Sequence, residues 1–328
     1  MVREPVDIKE KSQDQTLYAA ADLGSNSFHL IVTRCINDRF TVVDRARVVV
    51  RLAEGIENGN GLEIETQQRA FEALRHFRVL LRKVPAFNVR VVGTSALRQL
   101  SDQESFVTTA GDILGLPIEI ITGTEEARLI NLGVASTMKD QDAARLIVDI
   151  GGGSTEIIVG KDTAILAVES LSMGCVTFSK RFFPKAKITP RLFKRAQAAA
   201  RDLLETVMGS FSGITWLDVI GASGTIKATR KVINYQGWGD KEISMVALDS
   251  LIDTIVSAGH VDNFLKIRGL TQDRAPVFPG GLAILKSIMD RFAIKSMKVS
   301  KAAMREGIIF DLLLKRSPES FIALNPNF

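Results

Sequence analysis

Residues 146–156 read Leu-Ile-Val-Asp-Ile-Gly-Gly-Gly-Ser-Thr-Glu, and this stretch decides the fold. Its apolar run is long enough for a buried strand and too short for a helix. The three glycines permit a tight turn with exposed backbone N–H groups, an arrangement that binds phosphate. Asp149 sits at the strand end, where a carboxylate reaches a hydrated magnesium ion. The stretch therefore predicts a phosphate-binding loop, with a glycine hairpin between two strands as the alternative.

Length and composition fit a globular protein of two domains. The chain has 328 residues, and its 46% hydrophobic and 24% charged content is ordinary for such a protein. No apolar run reaches transmembrane length and the amino terminus is polar, so we expect a cytoplasmic protein without a signal peptide or membrane contact. Cys35 and Cys175 form no CxxC pattern, and the three histidines show no metal-binding spacing, which argues against a zinc site.

The basic residues suit an anionic partner. The net charge is +5, and two basic groups stand out: Arg45, Arg47 and Arg51, and the seven lysines and arginines at 180–195. Aromatic content is only 6% and no RNA-binding signature occurs, so base stacking is not indicated. We expect a polyphosphate-like anion and no sequence-specific nucleic acid. The 180–195 group is a candidate guide for the distal part of that anion, with a solvated basic surface as the alternative.

Two further Gly/Ser turns follow predicted strands in the same way. Gly24-Ser25-Asn26-Ser27 follows a strand at 17–23, and Gly221-Ala222-Ser223-Gly224-Thr225 follows a strand at 217–220. This duplication predicts an α/β fold of the actin-like ATPase and sugar-kinase (ribonuclease H-like) type, with a cleft between two domains. The predicted domains are domain I at 1–136, with a returning helix at about 308–328, and domain II at 137–307.

Five motifs occur in order along the chain. They are Asp22-Leu23-Gly24-Ser25-Asn26-Ser27-Phe28, Gly93-Thr94-Ser95-Ala96-Leu97-Arg98, Gly123-Thr124-Glu125-Glu126-Ala127-Arg128-Leu129, Asp149-Ile150-Gly151-Gly152-Gly153-Ser154-Thr155-Glu156 and Gly221-Ala222-Ser223-Gly224-Thr225-Ile226-Lys227. Together they closely resemble the exopolyphosphatase/guanosine pentaphosphate phosphohydrolase family. Pro279-Gly280-Gly281 and Arg305-Glu306-Gly307 also resemble family positions, and the resemblance extends from about Leu17 to Leu314.

The resemblance implies hydrolysis of the terminal phosphoanhydride of inorganic polyphosphate, with release of orthophosphate. Guanosine pentaphosphate is a second candidate substrate, because the motifs bind the phosphate end and do not identify what lies behind it. The sequence stops at Phe328 without the helical, HD-type region of many family members, so we expect a preference for short polyphosphate. A homodimer is a family-level expectation.

Hydrolysis of a phosphoanhydride needs a phosphate cradle, a cation and a base that activates water. The predicted cradle consists of small and hydroxyl residues of the three turns: Gly24, Ser25, Asn26, Ser27, Gly151, Gly152, Gly153, Ser154, Thr155, Ala222, Ser223, Gly224 and Thr225. Simple turn chemistry is the alternative for each hydroxyl. Mg²⁺, or Mn²⁺ in its place, is expected to bind Asp149, with Asp22 and Glu156 as further carboxylates unless these only order their turns.

The predicted base belongs to the Glu125-Glu126 pair. Thr124 is expected to cap a helix that begins at Glu125, where the helix dipole favours the ionised carboxylate. Charge complementarity at the helix end alone would also explain both acids. Adjacent helical side chains point about 100° apart, so we expect one of the two to face the cleft. Spacing does not choose between them, and the family resemblance favours Glu126.

Two cations are candidates for binding the substrate phosphates. Arg98 leaves the predicted strand at 88–93 with a planar donor fork suited to phosphate, and the resemblance implies that it clamps the substrate. A surface salt bridge is the alternative for Arg98. Lys227, at the start of the helix after the third turn, is a second candidate.

Two other functions fit the same fold. An ATP-dependent kinase of the sugar-kinase type would need a nucleoside pocket and an acceptor. A nucleotide-switched assembly protein would form filaments and release negligible phosphate. The Glu125-Glu126 and Arg98 motifs argue against both.

Overall fold

The computed structural model describes residues 16–36, 39–57, 61–138, 143–239 and 241–315. The strands are β1 (Thr16–Leu23), β2 (Ser27–Ile36), β3 (Arg39–Val49), β4 (Ile56–Glu57), β5 (Gly61–Leu62), β6 (Val89–Gly93), β7 (Glu119–Ile120), β8 (Ala144–Ile150), β9 (Thr155–Lys161), β10 (Ala164–Leu171), β11 (Asp218–Ala222), β12 (Glu242–Ser244) and β13 (Ser296–Val299). The helices are α1 (Ile64–Leu81), α2 (Ser95–Arg98), α3 (Gln103–Leu114), α4 (Gly123–Ala135), α5 (Cys175–Phe182), α6 (Pro190–Glu205), α7 (Ser223–Gln236), α8 (Met245–Ala258), α9 (Phe278–Arg291) and α10 (Met304–Leu314). Within these ranges, no helix combines the length and the hydrophobicity that a membrane span requires.

Two mixed sheets repeat one strand order. The first sheet runs β3-β2-β1-β6-β7, and the second runs β10-β9-β8-β11-β13 with β12 added at its edge. In each sheet an antiparallel meander is followed by strands parallel to its first strand, as β1 pairs with β6 and β8 with β11. Because parallel strands end at the same edge of a sheet, the Gly/Ser turns after β8 and β11 lie side by side. The predicted duplicated α/β fold is confirmed.

A shared hydrophobic core joins the two sheets. It contains Ile31 and Val92 from the first sheet, Ile147 and Ile158 from the second, and buried side chains of α4 and α10 such as Ile130. Each of these aliphatic side chains stabilises the fold by roughly 1.5–3 kcal/mol on burial. Helices α4 and α10 therefore connect the halves of the molecule as well as covering their sheets.

Glycines set the distance between α4 and α10. A Cβ atom at Gly307 would overlap the carbonyl of Leu129 on α4, and one at Gly133 would overlap the carbonyl of Ala303 at the start of α10. The helices can approach this closely only because neither glycine carries a side chain. Their amino-terminal ends carry Glu126 and Arg305, so this contact fixes the relative position of two side chains discussed below.

One helix cap differs from prediction. Helix α4 begins at Gly123, and the Oγ1 atom of Thr122, not of Thr124, accepts a hydrogen bond from the Glu125 N–H at 3.1 Å. Helix α10 overlaps the first residues of the returning helix predicted at about 308–328, and it packs against α4 and β1. Residues 1–15 and 316–328 of predicted domain I lie outside the described residues, and the domain boundaries stay predictions.

Candidate active site

A cavity of about 370 Å³ lies between the two sheets, where the three Gly/Ser turns meet. Its wall includes most of the predicted cradle: Gly24, Ser25, Asn26, Ser27, Gly151, Gly152, Ser154, Ser223 and Gly224. The Asn26 side chain is buried, and neither its amide nitrogen nor its amide oxygen has a hydrogen-bond partner. Buried amides are normally paired, so this one is available to a ligand in the cavity.

The second turn touches the first. A Cβ atom at Gly152 would lie 2.7 Å from the Ser25 Cβ, and one at Gly153 would lie 2.8 Å from the Ser95 Oγ. Side chains at either position would push the two halves of the molecule apart. Gly152 and Gly153 thus allow contact between the halves, a role the sequence pattern did not indicate.

Four residues of the predicted cradle do not reach the wall, namely Gly153, Thr155, Ala222 and Thr225. Thr155 is fully buried, and its Oγ1 donates to the Met173 carbonyl at 2.6 Å, so it secures the turn from behind. Ser223, which is on the wall, donates from Oγ to the Ile150 carbonyl at 3.2 Å and has a positive φ of 70°. That bond ties the third turn to the end of β8.

Three carboxylates line the cavity and share an electrostatic environment. Burial raises the pKa of Asp22 to about 7 and that of Asp149 to about 6. Burial also raises the pKa of Glu126 to about 8, with Asp22 and Asp149 adding to the shift and Arg98 opposing it. Like charges that are gathered out of water favour proton uptake or cation binding. The Oδ1 atom of Asp22 is buried and has no hydrogen-bond partner.

The carboxylates of the cavity wall fit a Mg²⁺ ion that keeps part of its hydration shell. In the described ranges, no group of three or more His, Cys, Asp and Glu side chains could hold a metal by itself. Mg²⁺ characteristically takes one or two carboxylates and completes its shell with waters and substrate phosphates. Asp149 and Asp22 supply that number of carboxylates on the cavity wall. Glu156 lies off the wall, fully buried, with Oε1 accepting from the Ser170 Oγ at 2.9 Å.

The two neighbouring glutamates face different surroundings. Glu126 lines the cavity, whereas Glu125 lies outside it and pairs with Arg128 at 2.7 Å and Arg90 at 3.1 Å. Those arginines hold the pKa of Glu125 below its usual range. For Glu126, burial raises the pKa, which is the opposite of the direction that the helix dipole predicts.

Arg98 lies beside Glu126. Its Nη1 donates to the Glu126 Oε2 at 3.1 Å and to the Ile121 carbonyl at 2.7 Å, and the side chain is not on the cavity wall. The structure thus places Arg98 where it orients a carboxylate, and its role as a clamp on the substrate phosphate stays a prediction. The bond also crosses from α2 to α4, which links two of the motifs.

Cations form the other part of the wall. They are Arg47, Lys227, Lys231, Arg274 and Arg305. Lys227 was predicted as a phosphate ligand, Arg47 belongs to a recognised basic group, and Arg305 to a family-like motif. Lys231 and Arg274 were missed, because neither belongs to one of the motifs or basic groups that the sequence pattern singled out. The wall also contains His29, whose Nδ1 lies 3.2 Å from an Arg305 nitrogen and whose pKa is lowered by burial and then by these cations.

The basic group at 180–195 is not part of the cavity wall. Lys180 donates to the Glu54 carbonyl at 2.9 Å, and the Arg181 guanidinium lies 5.0 Å from the centre of the Phe182 ring. These contacts belong to the surface of α5. The predicted role of the group as a guide for the distal substrate gains no support from its position.

Sheets of identical strand order around a polar cleft place the protein in the actin-like ATPase fold class. The chain belongs to the Ppx/GppA phosphatase family, whose family model matches residues 31–316. The family resemblance inferred from the five motifs is confirmed.

Solved structures agree with this assignment. An exopolyphosphatase-like protein is 26% identical with a TM-score of 0.82, the match covering 90% of this chain and 97% of that one. An exopolyphosphatase from Cytophaga hutchinsonii is 24% identical with a TM-score of 0.82, over 91% of this chain and 98% of that one. The Aquifex aeolicus PPX-GPPA enzyme is 24% identical with a TM-score of 0.74, over 90% and 99%. The similarities to the Cytophaga hutchinsonii and Aquifex aeolicus structures, each at 24% identity, show only a shared fold.

Proposed function

We propose that the protein removes the terminal phosphate of inorganic polyphosphate in the cavity between its two sheets. The observation that carries the proposal is Glu126, a buried carboxylate with a raised pKa on the wall of a cavity built from phosphate-binding turns. Family membership and the names of the similar exopolyphosphatase structures support the same substrate.

The reaction is hydrolysis at the terminal phosphorus. A water molecule attacks that phosphorus, its proton passes to Glu126, and the bond to the bridging oxygen breaks with its electron pair on the shortened chain. A base with a pKa near neutrality is better matched to this step than an ordinary glutamate, provided that it is ionised when the water attacks. Arg98 holds Glu126 in position and favours its ionised form.

The turns and cations have separate tasks in this proposal. The terminal phosphoryl group is held by the wall residues of the three turns, with the unpaired amide of Asn26 as one donor: Gly24–Ser27, Gly151, Gly152, Ser154, Ser223 and Gly224. Asp149 and Asp22 would hold Mg²⁺, or Mn²⁺ in its place. The ion would neutralise phosphate charge and lower the pKa of the carboxylates around it. Lys227, Arg274 and Arg305 neutralise phosphates behind the terminal one.

Guanosine pentaphosphate remains a second candidate substrate of the same site, since it presents the same terminal bond. A preference for short polyphosphate, a homodimer and a cytoplasmic location remain predictions. Nothing in the cavity specifically favours the kinase, which would need a phosphoryl acceptor beside the terminal phosphate.

The proposal is tested by phosphate release from a panel of substrates. The purified protein is incubated with Mg²⁺ and with long-chain polyphosphate, tripolyphosphate, guanosine pentaphosphate or ATP, and both orthophosphate and the remaining chain are quantified. We expect orthophosphate as the released product and gradual shortening of polyphosphate. We also expect loss of activity in EDTA and its return with Mg²⁺ or Mn²⁺. Turnover of ATP alone, or turnover that depends on an added acceptor, would contradict the proposal.

A further inference from the structure

An exposed group of two cations and one aromatic ring continues the cavity wall outwards. Lys231 lines the cavity and is itself exposed, and Tyr235 lies one helical turn further along α7 with half of its surface exposed. The Lys231 Nζ lies 6.0 Å from the centre of the Tyr235 ring, and the Arg268 Cζ lies 5.9 Å from it. Both distances are within the range in which an aromatic ring attracts a cation, so the Tyr235 ring gathers two positive charges at one exposed place beside the cavity.

The backbone is built to bring these residues together. Gly269 lines the cavity and has a positive φ of 91°. A Cβ atom at Gly269 would lie 2.8 Å from the Tyr235 Cδ2 and 3.1 Å from the Lys231 carbonyl oxygen. Glycine therefore lets the loop that carries Arg268 press against α7, so the proximity of the two cations follows from the fold.

The group lies in line with the phosphate-binding turn. Helix α7 begins at Ser223 on the cavity wall, and Lys227, Lys231 and Tyr235 follow at intervals of four residues on one face. Each interval advances about 6 Å along the helix axis. Lys227 donates to the Lys301 carbonyl at 2.8 Å and is held inside the cavity, whereas Lys231 and Arg268 are exposed. The face thus runs from the terminal-phosphate turn to the outer surface.

The two outer cations have no acidic partner. Among the residues that the structure describes, neither Lys231 nor Arg268 forms a salt bridge, whereas Arg47 on the same wall is paired with Asp273 at 2.5 Å. Cations that are gathered by an aromatic ring and not neutralised by carboxylates attract an extended polyanion.

We infer that Lys231, Arg268 and Tyr235 form a distal phosphate subsite, which binds the part of a polyphosphate chain that emerges from the cavity. The inference rests on the proposed function and adds residues that distinguish chain lengths. It expects tighter binding of chains long enough to leave the cavity, which runs against the predicted preference for short polyphosphate. A chain that ends inside the cavity, such as tripolyphosphate, gains little from this subsite, whereas a longer chain binds it as well. The Tyr235 ring acts by positioning the two cations.

Binding is measured in the Glu126→Gln background, in which turnover is expected to be at least about 100-fold slower. Long-chain polyphosphate and tripolyphosphate are titrated calorimetrically at equal concentrations of chains. Adding Lys231→Ala and Arg268→Ala should raise the Kd for long chains roughly 2- to 30-fold, the range for losing two exposed ionic contacts. The rise for tripolyphosphate should be several times smaller. Tyr235→Leu alone should shift the long-chain Kd in the same direction by a smaller factor.

The matched control is Arg230→Ala with Lys241→Ala, which removes the same charge from exposed positions that are not on the cavity wall. An equal rise of the long-chain Kd in this control would overturn the subsite. So would a Lys231→Ala, Arg268→Ala variant whose Kd rises equally for the two substrates or does not rise at all. If the background protein binds neither polyphosphate, the proposed function itself fails. If the background protein binds both polyphosphates and the substitutions at Lys231 and Arg268 change neither Kd, only the subsite is rejected and the proposed function stands.

Discussion

Replacing Glu126 by glutamine is expected to stabilise the metal-free protein, and increasingly so as the pH rises. The substitution keeps an oxygen that can accept the 3.1 Å hydrogen bond from Arg98. It removes a carboxylate whose pKa rises from 4.5 to about 8 on folding, mainly because the group is buried. At pH values between 4.5 and about 8, the folded protein therefore holds a proton on Glu126 that the unfolded chain has already released.

The sign follows from proton linkage. Between the unfolded and the folded pKa, the folded state holds more protons, so the free energy of unfolding falls as the pH rises, by about 1.4 kcal/mol per pH unit for a single group. Asp22 and Asp149 titrate in the same range and interact with Glu126, which divides the effect among the three groups. We therefore expect a gain of about 2–3 kcal/mol for Glu126→Gln near pH 8 and almost none near pH 4.5.

Urea unfolding in EDTA, followed by the fluorescence of Trp216 and Trp238, measures this difference at a series of pH values. Glu125→Gln is the matched control with the opposite sign. The pKa of Glu125 is lowered by Arg128 and Arg90, so its stabilising effect is present above the unfolded pKa and is lost as the pH falls. A Glu126→Gln gain that is independent of pH, or a loss that grows with pH, would refute the reasoning.

Further outcomes test other parts of the structure. Gly307→Ala should lower the free energy of unfolding by roughly 1–3 kcal/mol through overpacking between α4 and α10, whereas Gly209→Ala, with open space around it, should be nearly neutral by the same urea assay. Arg98→Met should move the acidic limb of the kcat/KM profile to higher pH, because Arg98 lowers the pKa of Glu126; an unchanged limb with normal turnover would exclude the positioning role. Asp149→Asn should raise the Mg²⁺ concentration for half-maximal activity at least about tenfold, and an unaltered metal requirement would remove Asp149 from the ion site.

The turns and the repeated strand order were predictable because each rests on a local pattern. Apolar runs end at Asp22 and at Asp149, and each continues into a Gly/Ser turn. Within about ten residues of sequence, this pattern specifies a strand, a turn and one edge of the cleft. Short edge strands such as β12 carry no such pattern and were missed. The cap of α4 was placed at Thr124, where two threonines flank Gly123 and either could accept the hydrogen bond.

The orientation of individual site residues was not predictable from sequence. Glu125 turns away from the cavity because Arg90 and Asp311, distant in the chain, complete an ion-pair network on that side of α4. Arg98 contacts Glu126 for an equally non-local reason. The raised pKa of Glu126 depends on burial between two sheets, whereas the sequence displays only its position at a helix start. Such features arise from packing between segments that no local pattern connects.

Turnover of polyphosphate by Glu126→Gln and Glu125→Gln tests most directly whether the cavity is the site of hydrolysis. The two substitutions make the same chemical change at adjacent positions, of which only Glu126 lines the cavity. With Mg²⁺ and saturating polyphosphate, we expect kcat to fall at least about 100-fold for Glu126→Gln, with polyphosphate still bound, and to change only a few-fold for Glu125→Gln. Near-normal turnover by Glu126→Gln, or the larger loss at Glu125, would contradict this assignment.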